Sequence, residues 1–235
     1  MINMDAEKSR ALLYKCADFI SNESIRQFTL RVLNDADDSF WKVPSSSTGD
    51  NHPPENNNLS KDALGEIIGK YGEGGLARHS VKVALVGYTI GYHLIPDKNI
   101  LDTLVSSCIL HDIKKRGKDG TNNYDPMHPI IAAEFIDAYT LDAGFKAKVK
   151  EGIRYHMNNL TFPESEREKA LSANLPLEYR IVQIADIVAS RRSISFFPGV
   201  YVDLNMLNNI TEEGLGKIIN SEEKQALFHR SKYTK

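Results

Sequence analysis

The chain predicts an all-α protein, and three observations carry that expectation. Apolar residues recur at steps of three and four over most of its 235 residues. Gly, Pro and Asn clusters separate these stripes at helix-like lengths. No convincing period-2 set of strands appears, and no internal repeat is evident.

Residues 5–34 read as helical, with Leu12, Leu13, Cys16, Phe19 and Ile20 on one face, followed by Ile25, Phe28 and Val32. The run from Ser45 to Asn58 holds no large apolar residue and is full of turn formers, so it reads as a long loop. Phe40, Trp41, Val43 and Leu59 flank it and could pin it to the body. Leu76, His79, Val83, Val86, Ile90 and Leu94 form the next stripe, which ends before Pro96. Ile100, Leu101, Leu104, Val105, Cys108 and Ile109 form another and run directly into His111 and Asp112. Gly117 and the 119–123 loop stop that helix. Pro129 suits a first helical turn just after His128. Phe145, Val149, Gly152 and His156 lie at steps of four, three and four, and Leu177, Ile181, Ile184, Ala185 and Val188 make a last stripe with Asp186 on its flank. A weaker helix is expected from about Glu212 to His229. The organisation is read as one domain, 1–235: an N-terminal helix plus polar loop (1–58), a core (59–195) and a C-terminal helical extension (196–235).

Composition limits the function classes. A hydrophobic share of 41% and a charged share of 26% are ordinary for a globular protein, so a real core is affordable. A formal charge of −2 argues against a nucleic-acid coat and against electrostatic membrane binding, so no long nucleic acid is expected. Two cysteines without a CxxC pairing exclude a disulfide framework and a thiolate zinc site. The N-terminal residues lack a secretory pattern and no apolar run reaches spanning length, so the expectation is a cytoplasmic protein.

The informative feature is a set of ionisable residues in one order: His79, His111, Asp112, His128, His156, Asp186. Most fall on an apolar stripe or at a helix end, where an unpartnered imidazole or carboxylate is costly. A lone histidine on such a face is more often a satisfied core residue. Six groups together reverse that judgement in favour of metal. Asp112, directly after His111, is placed to bridge two ions. His79, His111 and Asp186 would complete one ligand set, and His128 and His156 the other. Imidazole mixed with carboxylate suits two divalent transition-metal ions, namely iron, manganese, nickel, cobalt or zinc. Two such ions, two aspartates and a bridging hydroxide leave about one positive charge, which favours a phosphoryl group. Lys114, Lys115, Arg78, Arg154 and Arg191 stand near these residues in sequence and are candidate substrate contacts, with His52 as a contributor from the loop. The run Lys114–Arg116 is equally readable as a solvated helix end.

At these residues the chain resembles the HD-domain superfamily of metal-dependent phosphohydrolases. The matching words are Gly75-Leu76-Ala77-Arg78-His79-Ser80, Ile109 through Lys115 around His111-Asp112, and Ala185 through Ser190 around Asp186. The stretch from His128 to Glu134 and Arg154-Tyr155-His156 resemble the two further histidine motifs of the dinuclear subgroup. The resemblance implies an HD-domain helical bundle with a dinuclear metal site in its core, flanked by an extra N-terminal helix and a C-terminal helix. It implies His79, His111, Asp112 and Asp186 as ligands of one metal and Asp112, His128 and His156 of the other. Lys115 stands where the HDxGK lysine contacts phosphate, so Asp112 and Lys115 are the expected catalytic pair. Lys114 replaces the glycine of that motif. The GYP signature is absent after His128, so cyclic di-GMP is not implied, and Met157 and Asn158 stand where a second His and Glu are expected. Relatives that degrade RNA carry an OB domain ahead of the core, and there is no room for one before residue 60. The expected activity is hydrolysis of a phosphoester of a nucleotide or short oligonucleotide through a metal-bridging hydroxide. The alternative is a di-iron oxygenase of the inositol-oxygenase or phosphonate-oxygenase type, which shares the ligand pattern. A nucleotide-binding regulator without catalysis is the third reading. The oligomeric state is not legible.

Overall fold

The computed structural model describes residues 6–45, 73–121, 124–157, 162–172, 174–190, 193–197, 200–203 and 211–220. Among them lie ten α-helices and one two-stranded hairpin. The helices are α1 (Ala6–Cys16), α2 (Glu23–Asn34), α3 (Asp38–Lys42), α4 (Gly75–Leu94), α5 (Lys98–Leu110), α6 (His128–Phe135), α7 (Ala143–Arg154), α8 (Glu164–Leu171), α9 (Leu177–Ala189) and α10 (Glu212–Asn220). The all-α expectation holds for the body of the protein.

Local chemistry starts these helices where the chain needs them. The side chains of Asn22, Asp97 and Asp142 accept the first free N–H groups of α2, α5 and α7, which removes donors that would otherwise be orphaned. Pro129 lies in the first turn of α6, as expected. Gly74 opens α4 with φ +75, a conformation that favours glycine. A Cβ there would also meet Ala6 Cα at 2.9 Å, so the start of α4 is held against α1.

Helix α4 is buried over most of its length, and α1, α5 and α9 pack around it. Helix α5 is the second axis and touches α2, α4, α7 and α9. Glycines let these helices approach: a Cβ on Gly87 would collide with Cys108 Sγ, and one on Gly152 would meet Ser107 Cβ at 2.8 Å. One hydrophobic core runs from Leu12 to Leu215, so α1 and α10 belong to the same packed body as α4–α9. Cys108 is a fully buried core residue, as its apolar run suggested.

Two expectations need correction. The single helix read over residues 5–34 is two helices, broken at Ser21–Asn22. The break is caused from a distance. The buried carboxylate of Asp102 accepts from Ser21 N at 3.1 Å, Ser21 Oγ at 2.8 Å and Asn22 N at 2.7 Å. It thereby clamps the α1–α2 corner onto α5. The second correction is the hairpin, β1 (Ser193–Phe197) paired antiparallel with β2 (Val200–Asp203). It stands where a helical extension was expected to begin. The C-terminal helix is present as α10, while residues 221–229 of that expectation lie outside the described residues.

Two substitutions test this scaffold. Asp102→Ala strands two backbone donors and should cost about 2–3 kcal/mol, read as a lower urea midpoint. Gly152→Ala should cost about 1–3 kcal/mol through overpacking at the α5–α7 contact. Unchanged midpoints would show that the two contacts do not support the fold.

Candidate metal centre

All six residues of the expected set converge. His79 comes from the first turns of α4 and Asp186 from the last turns of α9. His111 and Asp112 follow directly on α5, in a turn that ends at Gly117 with φ +85. His128 opens α6, and His156 follows the end of α7. Five of the six are nearly inaccessible, at 5% exposure or less, and the Asp186 side chain is 18% exposed.

Asp112 lies in the middle, and its two oxygens face different partners. Oδ2 is 3.4 Å from His111 Nε2 and 3.7 Å from His79 Nε2. Oδ1 is 3.0 Å from His128 Nε2 and 3.6 Å from His156 Nε2. Asp186 Oδ1 is 2.8 Å from His79 Nε2 and 3.8 Å from His111 Nε2. The nitrogens of His128 and His156 are 3.3 Å apart.

Ring orientation is set by the backbone. His111 Nδ1 donates to the Cys108 carbonyl at 2.8 Å, His128 Nδ1 to that of Asp125 at 2.7 Å, and His156 Nδ1 to that of Ile153 at 2.7 Å. Each bond reaches three residues back along the chain. A neutral ring that donates from Nδ1 presents a bare lone pair at Nε2, which is how imidazole is held for metal. All three rings therefore turn Nε2 toward the oxygens of a carboxylate, where a second proton or a cation is needed between them. Two of the converging atoms, His111 Nε2 and Asp112 Oδ1, are buried with no hydrogen-bond partner. Such orphans are rare in folded proteins and mark an ion site. Two groups have donor atoms within 4.8 Å of one another: His79, His111 and Asp186, and His111, Asp112 and His156. The residues present thus fit divalent metal.

The protonation of the centre points the same way. Burial pushes the His79 imidazole down to about 4 against the pull of Asp186, so it is neutral at pH 7. Burial also lowers His156. Burial disfavours the Asp112 anion, but Lys115 and His111 outweigh it and hold the carboxyl well below its usual range. Asp186 is likewise held low, against burial, by its hydrogen bond with His79. His111 is raised: burial opposes the proton, and Asp112 draws it on. The cluster attracts positive charge.

The expected cations divide. Lys115 reaches the cluster, with Nζ 2.6 Å from Asp112 Oδ2. Lys114 does not: its ammonium donates to Asp37 at 2.6 Å and to the Lys118 carbonyl at 3.1 Å, over the Phe135 ring. Arg154 Nε donates to Glu166 at 2.7 Å. Arg78 is buried in α4 beside Cys16, where desolvation lowers it to about 10. His52 and Arg191 lie outside the described residues. Reading from sequence missed Tyr124, whose ring meets His128 at 5.5 Å between centroids. It sits in a polar loop with no periodicity to flag it.

Interlocked helices around a dry cluster of four imidazoles and two carboxylates define a helical protein built to bind metal. Residues 76–191 match the model of the HD domain, and this stretch of the chain is an HD domain. HD domains bind divalent metals, and most are metal-dependent hydrolases. No curated protein and no solved structure matches the chain. No helix among the described residues is long and apolar enough to cross a membrane.

Metal should therefore stabilise the fold. Mn²⁺, Co²⁺ or Ni²⁺ at about a hundred times its dissociation constant should add about 3 kcal/mol per site, seen as a higher Tm that EDTA reverses. A Tm indifferent to all three ions and to EDTA would contradict this.

Proposed function

We propose that the protein is a metal-dependent phosphohydrolase that cleaves a phosphoester of a nucleotide or short oligonucleotide. His79, His111, Asp112 and Asp186 would hold one divalent transition-metal ion, and Asp112, His128 and His156 a second. The observation that carries this reading is the division of Asp112, whose two oxygens address separate pairs of imidazoles. When bound, a metal pair supplies a water acidic enough to attack phosphorus at neutral pH and charge to offset the phosphoryl oxygens.

The chain's own groups set up the rest. The Cys108, Asp125 and Ile153 carbonyls hold the Nδ1 protons and aim three rings inward. Lys115 keeps its proton, because Asp112 and Asp186 outweigh the burial that would remove it. Its ammonium keeps Asp112 ionised and adds positive charge beside the phosphoryl group, where a dry surrounding strengthens it.

A small substrate is favoured by how the other cations are used. Lys114, Arg116 and Arg154 are held by Asp37, the Pro44 carbonyl and Glu166. Those three charges form no open track for a polynucleotide backbone, which long nucleic acid would require.

Protein loaded with Mn²⁺, Ni²⁺ or Co²⁺ should hydrolyse bis(p-nitrophenyl) phosphate and at least one member of a nucleotide panel, with two ions per chain by elemental analysis. Asp112→Ala should abolish turnover and lower the metal content. Lys115→Ala should retain the metal and lose roughly a hundredfold in kcat. Full activity in Asp112→Ala would reject its bridging role. Two irons per chain with substrate-dependent oxygen uptake and no phosphate release would establish the oxygenase alternative instead.

A further inference from the structure

Tyr124 stands beside the centre, against His128, and has no task in the scheme above. Backbone hydrogen bonds hold it there. The Asp125 N–H donates to the Lys115 carbonyl at 3.0 Å. The Asp125 carbonyl in turn accepts from the His128 N–H at 3.0 Å and from His128 Nδ1 at 2.7 Å. Tyr124, one residue earlier, is thus fixed between the turn that carries Lys115 and the histidine that opens α6. Its ring lies against His128 at an interplanar angle of 62°. The phenol is half-buried and feels the charges of Lys115, Asp112 and Asp186.

The hydroxyl's partner is the clue. Tyr124 Oη donates to Met157 Sδ at 4.0 Å. A thioether is a weak acceptor, so the donor is held in place without being strongly engaged. A phosphoryl oxygen is a far stronger acceptor, because a hydrogen bond to an anion is about twice as strong as a neutral one. Packing against His128 accounts for the ring, and phenylalanine would supply that equally well. It does not account for a hydroxyl held between the two histidine segments on so weak an acceptor.

We propose that Tyr124 contacts the substrate, its Oη donating a hydrogen bond to a non-bridging phosphoryl oxygen that Lys115 approaches from the neighbouring turn. The inference rests on the phosphohydrolase reading for its substrate class, but its test does not require turnover. Met157 then has a role of its own: it parks the phenol in the free protein and gives it up without a large penalty. The residue that departs from the HD pattern after His156 belongs to the substrate-binding device.

The test compares Tyr124→Phe with Tyr124→Leu in the full chain loaded with Mn²⁺. Inorganic phosphate is titrated by calorimetry, and metal content and Tm are measured in parallel. Loss of the hydroxyl alone, in Tyr124→Phe, should weaken phosphate binding about tenfold, the equivalent of one hydrogen bond of about 1.4 kcal/mol, with metal content unchanged. Tyr124→Leu should be no better than Tyr124→Phe. Wild-type affinity in Tyr124→Phe with a loss confined to Tyr124→Leu would reduce the residue to a packing role and overturn the proposal. So would a wild-type protein that takes up no phosphate at all. Phosphate binding that depends on the hydroxyl, in a protein that hydrolyses no phosphoester, would uphold the contact and reject the hydrolase reading.

Discussion

The structure depends on a surplus of acceptors enclosed in a dry core. Asp112 is 1% exposed and has an imidazole nitrogen within 3.7 Å on four sides. Three of those rings have already placed their Nδ1 proton on a backbone carbonyl. Each then meets the carboxylate through Nε2, where only a further proton or a cation can satisfy both. Isolated, such a cluster would be strongly unfavourable. The surrounding helices tolerate it because positive charge enters: Lys115 supplies one unit, and the orphaned atoms His111 Nε2 and Asp112 Oδ1 leave room for more. An ion held there would offset the cost of burying these side chains, so its binding would be coupled to folding.

The scaffold is organised to keep that cluster from relaxing. Five segments deliver the six residues, and three of them are fixed by contacts that do not involve the centre. Helix α4 is anchored at Gly74 against α1, and α5 is clamped to the α1–α2 corner through Asp102. Helix α7 approaches α5 where Gly152 has no side chain. Lys114, itself buried, ties the turn after Asp112 to the start of α3 through the partly exposed Asp37. These restraints hold the imidazoles in place when no ion does so. A site that had to assemble around its ion would bind more weakly by the cost of ordering its parts.

Legibility in the sequence followed the range of the interactions. The stripes that carry His79, His111, His156 and Asp186 depend on local periodicity, and those helices stand where the pattern put them. The order of the six residues was enough to foresee that they converge. What sequence could not show is what distant residues do to one another. The helix break at Ser21–Asn22 is made by Asp102, eighty residues on. Lys114 and Arg154 looked like rim cations because they neighbour ligands along the chain. Asp37 and Glu166 claim them from other helices, and nothing at either position announces it. The hairpin was missed for a different reason. Ser193–Phe197 and Val200–Asp203 are short, and only the first alternates polar and apolar residues, over Ser193 to Phe196. Only Pro198 and Gly199 between them signalled a turn.

The division of the lysines has a consequence for selectivity. Adjacent in sequence, Lys114 and Lys115 leave the same turn in different directions, one toward α3 and one into the cluster. Lys114 stands where the HDxGK pattern has glycine, and its side chain gives this turn an external tether that glycine cannot provide. The charge added to the motif is structural, and it orients the charge that follows it. A point cation held against Asp112 at 2.6 Å has little freedom to follow a large or mobile ligand. It meets whatever anion reaches the mouth of the centre. Under the proposed hydrolase reading, recognition next to the centre would rest on one ammonium, a phenol and the bound ions.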